Sequence, residues 1–382
     1  MWNRLRQLRR DDRGMTFVFI GLGFMAFMAA TTLAIDVGMF MTARSQAQNA
    51  ADAGALAGAT ALAFDSFDDR STGGPAVQSA VNTARENSVI GGVPSATPSD
   101  VAFPVGPTGA NRVRINVFRT GPRSNAIPTL FGPLFGVPTV DISATATAEA
   151  SPANAMSCVK PFTIPDRWTE NGTPPWTPDS SFDRYDKKGA LLPNADVYVP
   201  PGQPGYNGYN ATRDKGTPLM IRAGTGNNVA PSMYWSWAMP GGTGASYYRD
   251  NIAHCNQSIF DFGAEMTQEP GNMVGPTIDG VEDLIAQDPN AYWDSASNSV
   301  HTTMNPSPRV FPIPLYDPEF FQSGKVNGRN ATLKMANWIG FFVERRSGND
   351  VYGRITPILG VIDNNAGPAP TGVFPVSIRL VQ

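Results

Sequence analysis

From Thr16 to Ile35 no side chain carries a charge, and Phe17, Val18, Phe19, Ile20, Leu22, Phe24, Met25, Phe27, Met28 and Leu33 cover the whole circumference of a helix. A helix apolar on every side suits hydrocarbon, whereas one packed on a globular core keeps a polar stripe. About 20 residues at a rise of about 1.5 Å match the ~30 Å apolar core of a bilayer, so the pattern predicts a membrane-crossing helix. Two other readings compete with it. A buried core helix is usually shorter, and the apolar core of a cleaved secretory signal runs about 7 to 15 residues before a small-residue cleavage site, which Ala29 and Ala30 could imitate.

The pattern then changes without a break. No proline occurs between Met41 and Phe64, and alanine recurs every fourth position at Ala43, Ala47, Ala51, Ala55, Ala59 and Ala63. Alanine is the best helix former, so the spanning helix is expected to continue outward as a rod. Ala43, Ala47, Ala51, Gly54, Ala55, Gly58 and Ala59 mark a smooth helix-packing interface on which another helix can approach closely. Its occupant is either a helix of another protein or this chain's own helix, predicted over 76–87. Either way a partner is needed, because alanine buries little apolar area by itself.

Further along, the period switches to two. Val113, Ile115 and Val117 alternate with polar residues over 112–120, and Val140, Ile142, Ala144, Ala146 and Ala148 do so over 140–149, which predicts two half-buried strands pairing antiparallel. The apolar connection 126–136, with two prolines, is expected to be a short helix or turn packed on that sheet. From Ser151 to Asp250 proline, glycine, asparagine and aromatic residues dominate. Glycine (38) and proline (34) make up nearly a fifth of the 382 residues, against an ordinary ~12%, which favours turns over long helices. Strands are expected over 331–344, 351–361 and 373–381, and one later helix over 277–286 behind Pro276.

The expected fold class is therefore α+β. A cytoplasmic basic tip (1–14), a transmembrane helix (15–41), an Ala-rich helical stalk (42–90), a small α/β unit beside the membrane (91–151) and a loop-rich, mainly β external domain (152–382) follow one another.

Charge sets orientation. Arg4, Arg6, Arg9, Arg10 and Arg13 precede the apolar stretch and the next basic residue is Arg44, so the positive-inside rule leaves the N-terminus in the cytoplasm and the rest outside. With a net charge of -3 the chain offers no basic face for nucleic acid, and topology alone accounts for the five arginines. Membrane lipid is the first partner implied. Cys158 and Cys255, the two cysteines, both fall in the exported part, where they can form a disulfide closing a loop of about 97 residues. Free thiols, or a Cys255–His254 nucleophilic pair, are the other options.

Several strings carry a family likeness. Arg13-Gly14, then Ala34-Ile35-Asp36-Val37-Gly38, Ala43-Arg44-Ser45 and the run Gln48 to Ala59 (QNAADAGALAGA) resemble the N-terminal signature of the TadE/TadG-like family of Flp (tight-adherence) pilus-assembly proteins. The likeness covers about residues 13 to 63. Two later blocks, Cys158 to Phe162 with Ile164 to Trp168, and Pro270 to Thr277, also look similar to long members of that group. The resemblance implies a single-pass protein of the bacterial inner membrane, with its C-terminal part periplasmic or extracellular. It would assist assembly or anchoring of a pilus or its secretion apparatus without catalysis, and its partners would be other membrane proteins of that apparatus or a second copy of the chain.

Two departures from the family are informative. Pilin-like members are cut after a glycine and carry a glutamate five residues on, whereas counting from Gly14 leads to Phe19, which favours a retained anchor over a filament subunit. Some members carry a metal site beginning Asp-x-Ser-x-Ser, of which Asp141-Ile142-Ser143-Ala144-Thr145 is a near miss. Strand alternation runs straight through that string, so no metal site is expected there.

Other chemistry is thin. Aromatic residues at Met233–Trp237, with Tyr206 and Tyr209, could stack on sugars and make the chain an anchored adhesin or glycan-binding protein, though aromatics are also ordinary core residues. Asp179, Asp183 and Asp186 lack the spacing of a calcium loop. There is no G-x-S-x-G, no H-E-x-x-H and no phosphate-binding G-x-x-x-x-G-K, and His254 and His301 are the only histidines. Asp279, Asp317 and Glu319 could form a hydrolase pair only by converging in space. No cofactor and no enzymatic activity are expected.

Overall fold

The computed structural model describes residues 13–65, 69–106, 111–226, 228–304, 306–326, 332–370 and 372–381. Arg4, Arg6, Arg9 and Arg10 lie outside the described residues. The protein is mixed α+β and divides into two compact units, residues 1–149 with 379–382, and residues 150–378.

The first unit is organised by one 52-residue helix, α1 (Arg13–Phe64). Its first half is exposed on all sides: Phe17 is 82% accessible, Met25 69% and Leu33 63%. This is the one described helix long and apolar enough to cross a membrane. The helix continues unbroken into the alanine-rich half, where one face turns inward and Ala43, Ala47, Ala51, Ala55 and Ala59 are fully buried. Arg44, Ser45, Gln48 and Asn49 stay on the open face.

Helix α2 (Pro75–Glu86) starts at a proline in its first turn, where the missing N–H costs nothing, and buries Ala76, Val77, Ala80, Val81 and Ala84. A four-stranded sheet completes the unit, in the order β1 (Val101–Ala102), β2 (Arg112–Arg119), β3 (Ile142–Pro152) and the terminal strand Val376–Val381. Strands β2 and β3 are antiparallel, with Arg112 opposite Glu149 and Arg119 opposite Ile142. Alternation decides which side chains go inward: Val113, Ile115 and Val117 are fully buried. The Glu149 carboxylate, 1% exposed, accepts Arg112 at 2.6 Å and Arg379 at 3.5 Å, pairing the buried charge.

The second unit is built on a closed sheet. Its strands are β4 (Phe162–Pro165), β5 (Pro218–Ala223), β6 (Met233–Ser236), β7 (Glu265–Met266), β8 (Val310–Tyr316), β9 (Leu333–Ser347) and β10 (Asp350–Thr356), in the order β7-β9-β8-β4-β6-β5-β10. Strand β10 also pairs with β9, so six of the seven form a barrel. Closure removes the unpaired edges that a strand otherwise exposes. Two neighbouring pairs, β4 with β8 and β5 with β6, run parallel.

A cluster of buried residues draws on all six barrel strands, including Phe162, Ile221, Tyr234, Phe311, Phe341 and Ile355, and on helices α3 (Ala245–Ala253) and α4 (Val274–Gln287). Gly280 lets the two helices touch, since a Cβ there would stand 2.7 Å from Ile252 Cβ. A second cluster is aromatic, with Trp168, Phe182, Trp237, Phe321 and Trp338. Each large side chain taken from water contributes about 1.5–3 kcal/mol, so these clusters are the main stabilising feature of the unit.

The later strands and helix match the sequence expectations to within a few residues. The stretch 151–250, expected as part of a loop-rich β domain, holds three short barrel strands and the start of α3.

Candidate functional site

The feature of α1 that reads as functional is the junction where its apolar surface gives way to its buried face. Asp36, the first charged residue after the uncharged stretch, is 6% exposed. Its carboxylate accepts the backbone N–H of Leu130 at 3.0 Å and of Phe131 at 3.1 Å. The segment it holds is a small hairpin, Ile127–Pro128 against Thr139–Val140. The hairpin tip is a turn of 3₁₀ helix at Gly132–Phe135. This segment was expected to pack on the sheet. Instead Leu130, Leu134, Phe135 and Val137 are 64, 78, 63 and 48% exposed, because two-residue strands leave the tip no sheet to lie on and its donors are taken by Asp36.

Beyond the junction the small-residue face is occupied by the chain itself. A Cβ added at Gly54 would meet the Ala80 carbonyl oxygen at 2.8 Å and Ala84 Cβ at 2.9 Å. One at Gly58 would meet Val113 Cγ1 at 2.8 Å and Ala80 Cβ at 3.0 Å. Of the two occupants that the spacing allows, the geometry takes the chain's own helix. Ala43, Ala47, Ala51, Ala55 and Ala59 are fully buried, and at Gly54 and Gly58 it is α2 and β2 that lie against the face.

In the second unit Cys158 and Cys255 are joined in a disulfide, with Cα atoms 4.6 Å apart. No thiol is left for the nucleophilic pair with His254, whose side chain is exposed. Close by, the Lys160 ammonium is 4% exposed and donates to the His254 carbonyl at 2.7 Å. Burial drives its pKa down to about 7.

A second buried charge organises the tyrosines. Asp166 is fully buried and accepts hydrogen bonds from the backbone N–H of Arg167 and Tyr209 and from the hydroxyls of Tyr198 and Tyr206. Burial pushes its pKa up to about 6 against the pull of these four donors. Fully buried and held by four donors, the carboxylate reads as a core brace.

The aromatic residues that could have stacked on sugar are mostly interior. Tyr209, Tyr234 and Trp237 are 0, 1 and 3% exposed, and the Trp237 indole donates to the Lys160 carbonyl. Their glycine-rich surroundings mimicked a surface loop in sequence, but the side chains fill the barrel cores. Asp186 closes a turn by accepting the N–H of Lys188 and Ala190, and Asp183 donates its backbone N–H to the buried Asp196 carboxylate at 2.7 Å. Asp141 accepts the Gly121 N–H at 2.7 Å, and β3 runs on through Ser143 paired to Phe118. Among the described residues no group of three or more His, Cys, Asp or Glu is placed to hold a metal ion. Asp279 faces Arg249, while Glu319 faces Arg184. Asp36, Lys160 and Asp166 were not legible as sites, although an Asp ending an uncharged run of this length is a signal a reader could use.

The fold and this junction define a class: an α+β protein hung on one apolar helix that is continuous with its first folded unit. Residues 14–61 match a family model described as "Putative Flp pilus-assembly TadE/G-like". The match covers nearly all of α1 and supports a part in Flp pilus assembly. Comparison with curated proteins and with solved structures found no match.

Proposed function

We propose that this chain is a single-pass envelope protein that assists assembly or anchoring of a Flp-type pilus or its secretion apparatus. Residues 15–41 sit in the cytoplasmic membrane with the arginine-rich tip inside, and the chain after about Met41 is displayed beyond it. The observation that carries this reading is the family match falling on α1, whose first half exposes apolar side chains and whose second half is the centre of a folded unit. A helix built this way transmits position from the membrane to the first unit without a hinge. The role is structural, through contacts with other membrane proteins of the apparatus. The packing of Gly54 and Gly58 against α2 supports placing those contacts on other surfaces.

The test is genetic and topological. In a strain that makes the pilus, deletion of the gene is expected to abolish surface piliation, with rescue by the full chain and not by one whose residues 1–41 are replaced with a cleavable secretory signal. A C-terminal tag should be removed by protease from spheroplasts. Normal piliation in the deletion strain, or a tag shielded in spheroplasts, would overturn the proposal.

A further inference from the structure

We propose that the hairpin tip Leu130–Val137 is a second membrane contact, a short monotopic anchor that enters the headgroup–acyl boundary of the bilayer that α1 crosses. The inference rests on the membrane-spanning reading of α1 and adds a lipid-binding site to it.

Three observations converge on this loop. First, it is apolar and presents that surface outward. No charged residue occurs between Arg123 and Asp141, and Leu130, Leu134, Phe135 and Val137 are each about half or more exposed. Exposed residues of this size normally occur singly, and a cluster marks an interaction surface.

Second, the loop is held in shape without help from a partner. Thr129 donates its backbone N–H to the Pro138 carbonyl at 3.0 Å and its hydroxyl to the Val137 carbonyl at 2.6 Å, while the Val137 N–H donates to Gly132 at 2.9 Å. Gly136 turns with a positive φ of 78°, as a residue without a Cβ can. Backbone groups satisfied internally are what entry into a water-poor layer requires.

Third, the position of the loop along α1 is fixed. Asp36 grips Leu130 and Phe131 directly after the last residue of the uncharged stretch. A bilayer whose hydrocarbon core is matched to Thr16–Ile35 therefore has the outer edge of that core at the level of this grip, with residues 36–41 in the headgroup layer. Around it α1 exposes Ile35 at 46%, Val37 at 44% and Met41 at 71%, so the apolar surface of the loop continues that of the span. This continuity selects lipid as the occupant. With no basic side chain in the loop, the contact needs no anionic headgroup, unlike a polybasic surface anchor.

The Asp36 carboxylate then has a double use. By accepting two backbone N–H groups it avoids an unpaired charge at the membrane edge, and it sets the depth of the tip.

The test uses the full chain in phosphatidylcholine vesicles, with its disulfide intact. Leu134→Cys, Met28→Cys and Thr72→Cys are each labelled with an environment-sensitive fluorophore and exposed to lipids carrying quenchers at defined depths, and separately to iodide. Met28 reports the span itself. Thr72 lies past the outer end of α1 and reports water.

The expected result is deep quenching at position 28, shallow-lipid quenching at position 134 at least about threefold stronger than at 72, and loss of that excess in a further Asp36→Ala variant. Quenching at 28 by lipid but at 134 by iodide alone would sink the loop anchor and leave the spanning helix standing. Protection at 134 from both quenchers would mean a protein or a second copy covers the tip, which also overturns the lipid contact. Absence of lipid quenching at 28 would remove the spanning reading and this inference with it.

Discussion

Gly54 and Ala80 stand so close that α1 and α2 touch backbone to backbone: a Cβ at Gly54 would lie 2.8 Å from the Ala80 carbonyl oxygen. The contact leaves no slack, because Ala84 Cβ and Ile115 Cδ1 bound the same space at 2.9 and 3.4 Å.

Gly54→Leu is therefore expected to force the two helices apart and to destabilise the first unit by at least about 1–3 kcal/mol, the ordinary cost of overpacking. Ala53→Leu, at a half-buried position one residue away, should cost far less. Hydrogen exchange of α2 and β2 amides in detergent-solubilised protein measures this. Equal protection in both variants would contradict the packing.

Tyr206 donates its hydroxyl to Asp166 at 3.0 Å and accepts from Asn337 Nδ2 at 2.8 Å. Tyr206→Phe removes one of two hydroxyl donors from the buried carboxylate and should cost about 1–3 kcal/mol at neutral pH. The pH dependence has a definite sign. Asp166 has a folded pKa of about 6, raised from 3.8, so between those values the folded chain holds more protons than the unfolded one and stability falls as pH rises. The variant pushes that pKa higher still. Its deficit against the natural chain should be smallest below pH 4, where the carboxyl is neutral in both and the lost acceptor of Asn337 remains the cost, and should grow toward pH 7, as urea midpoints at each pH would report.

How much of this was readable in sequence depends on how local the cause is. The first half of α1 needed only an uncharged run, and its second half only alanines without proline. Strands β2 and β3 announced themselves by alternation at Val113–Val117 and Ile142–Ala148, and even their pairing followed. The barrel did not, since Phe162–Pro165 and Met233–Ser236 are four-residue strands among prolines and glycines, and β4 finds its parallel neighbour β8 about 150 residues away. Helix α3 follows Gly244 with no side-chain cap, so no start signal was present. Leu130 and Leu134 looked like core residues because apolar composition does not say which way a loop faces. What turns them outward is Asp36, 94 residues earlier.

Lys160 carries the opposite pH signature to Asp166. Burial lowers its folded pKa to about 7 from 10.5, so below pH 7 the ammonium is charged in both states and the cost of burying it is carried in full. Between about 7 and 10.5 the unfolded chain binds more protons and stability rises with pH. Relative to Lys160→Met, the natural chain is expected to gain on the order of a few kcal/mol between pH 7 and 10. Parallel pH profiles for the two proteins would show that the ammonium is not buried as described.

Cys158 adopts a left-handed backbone conformation with φ +59° while bonded to Cys255, 97 residues on. Opening such a loop typically costs a small exported domain about 2–5 kcal/mol. The backbone adds a separable effect, because a residue with a Cβ pays roughly 1–2 kcal/mol to hold this conformation and glycine does not. Two bridge-free variants distinguish the contributions. Cys158→Ser with Cys255→Ser should unfold at markedly lower denaturant than the natural chain, by the full cost of the bridge. Cys158→Gly with Cys255→Ser should recover about 1 kcal/mol of that loss, less whatever entropy the glycine adds to the unfolded chain. If the glycine variant were the less stable of the two, residue 158 would have left the left-handed region once the bridge was gone, and the disulfide itself would be what imposes that turn.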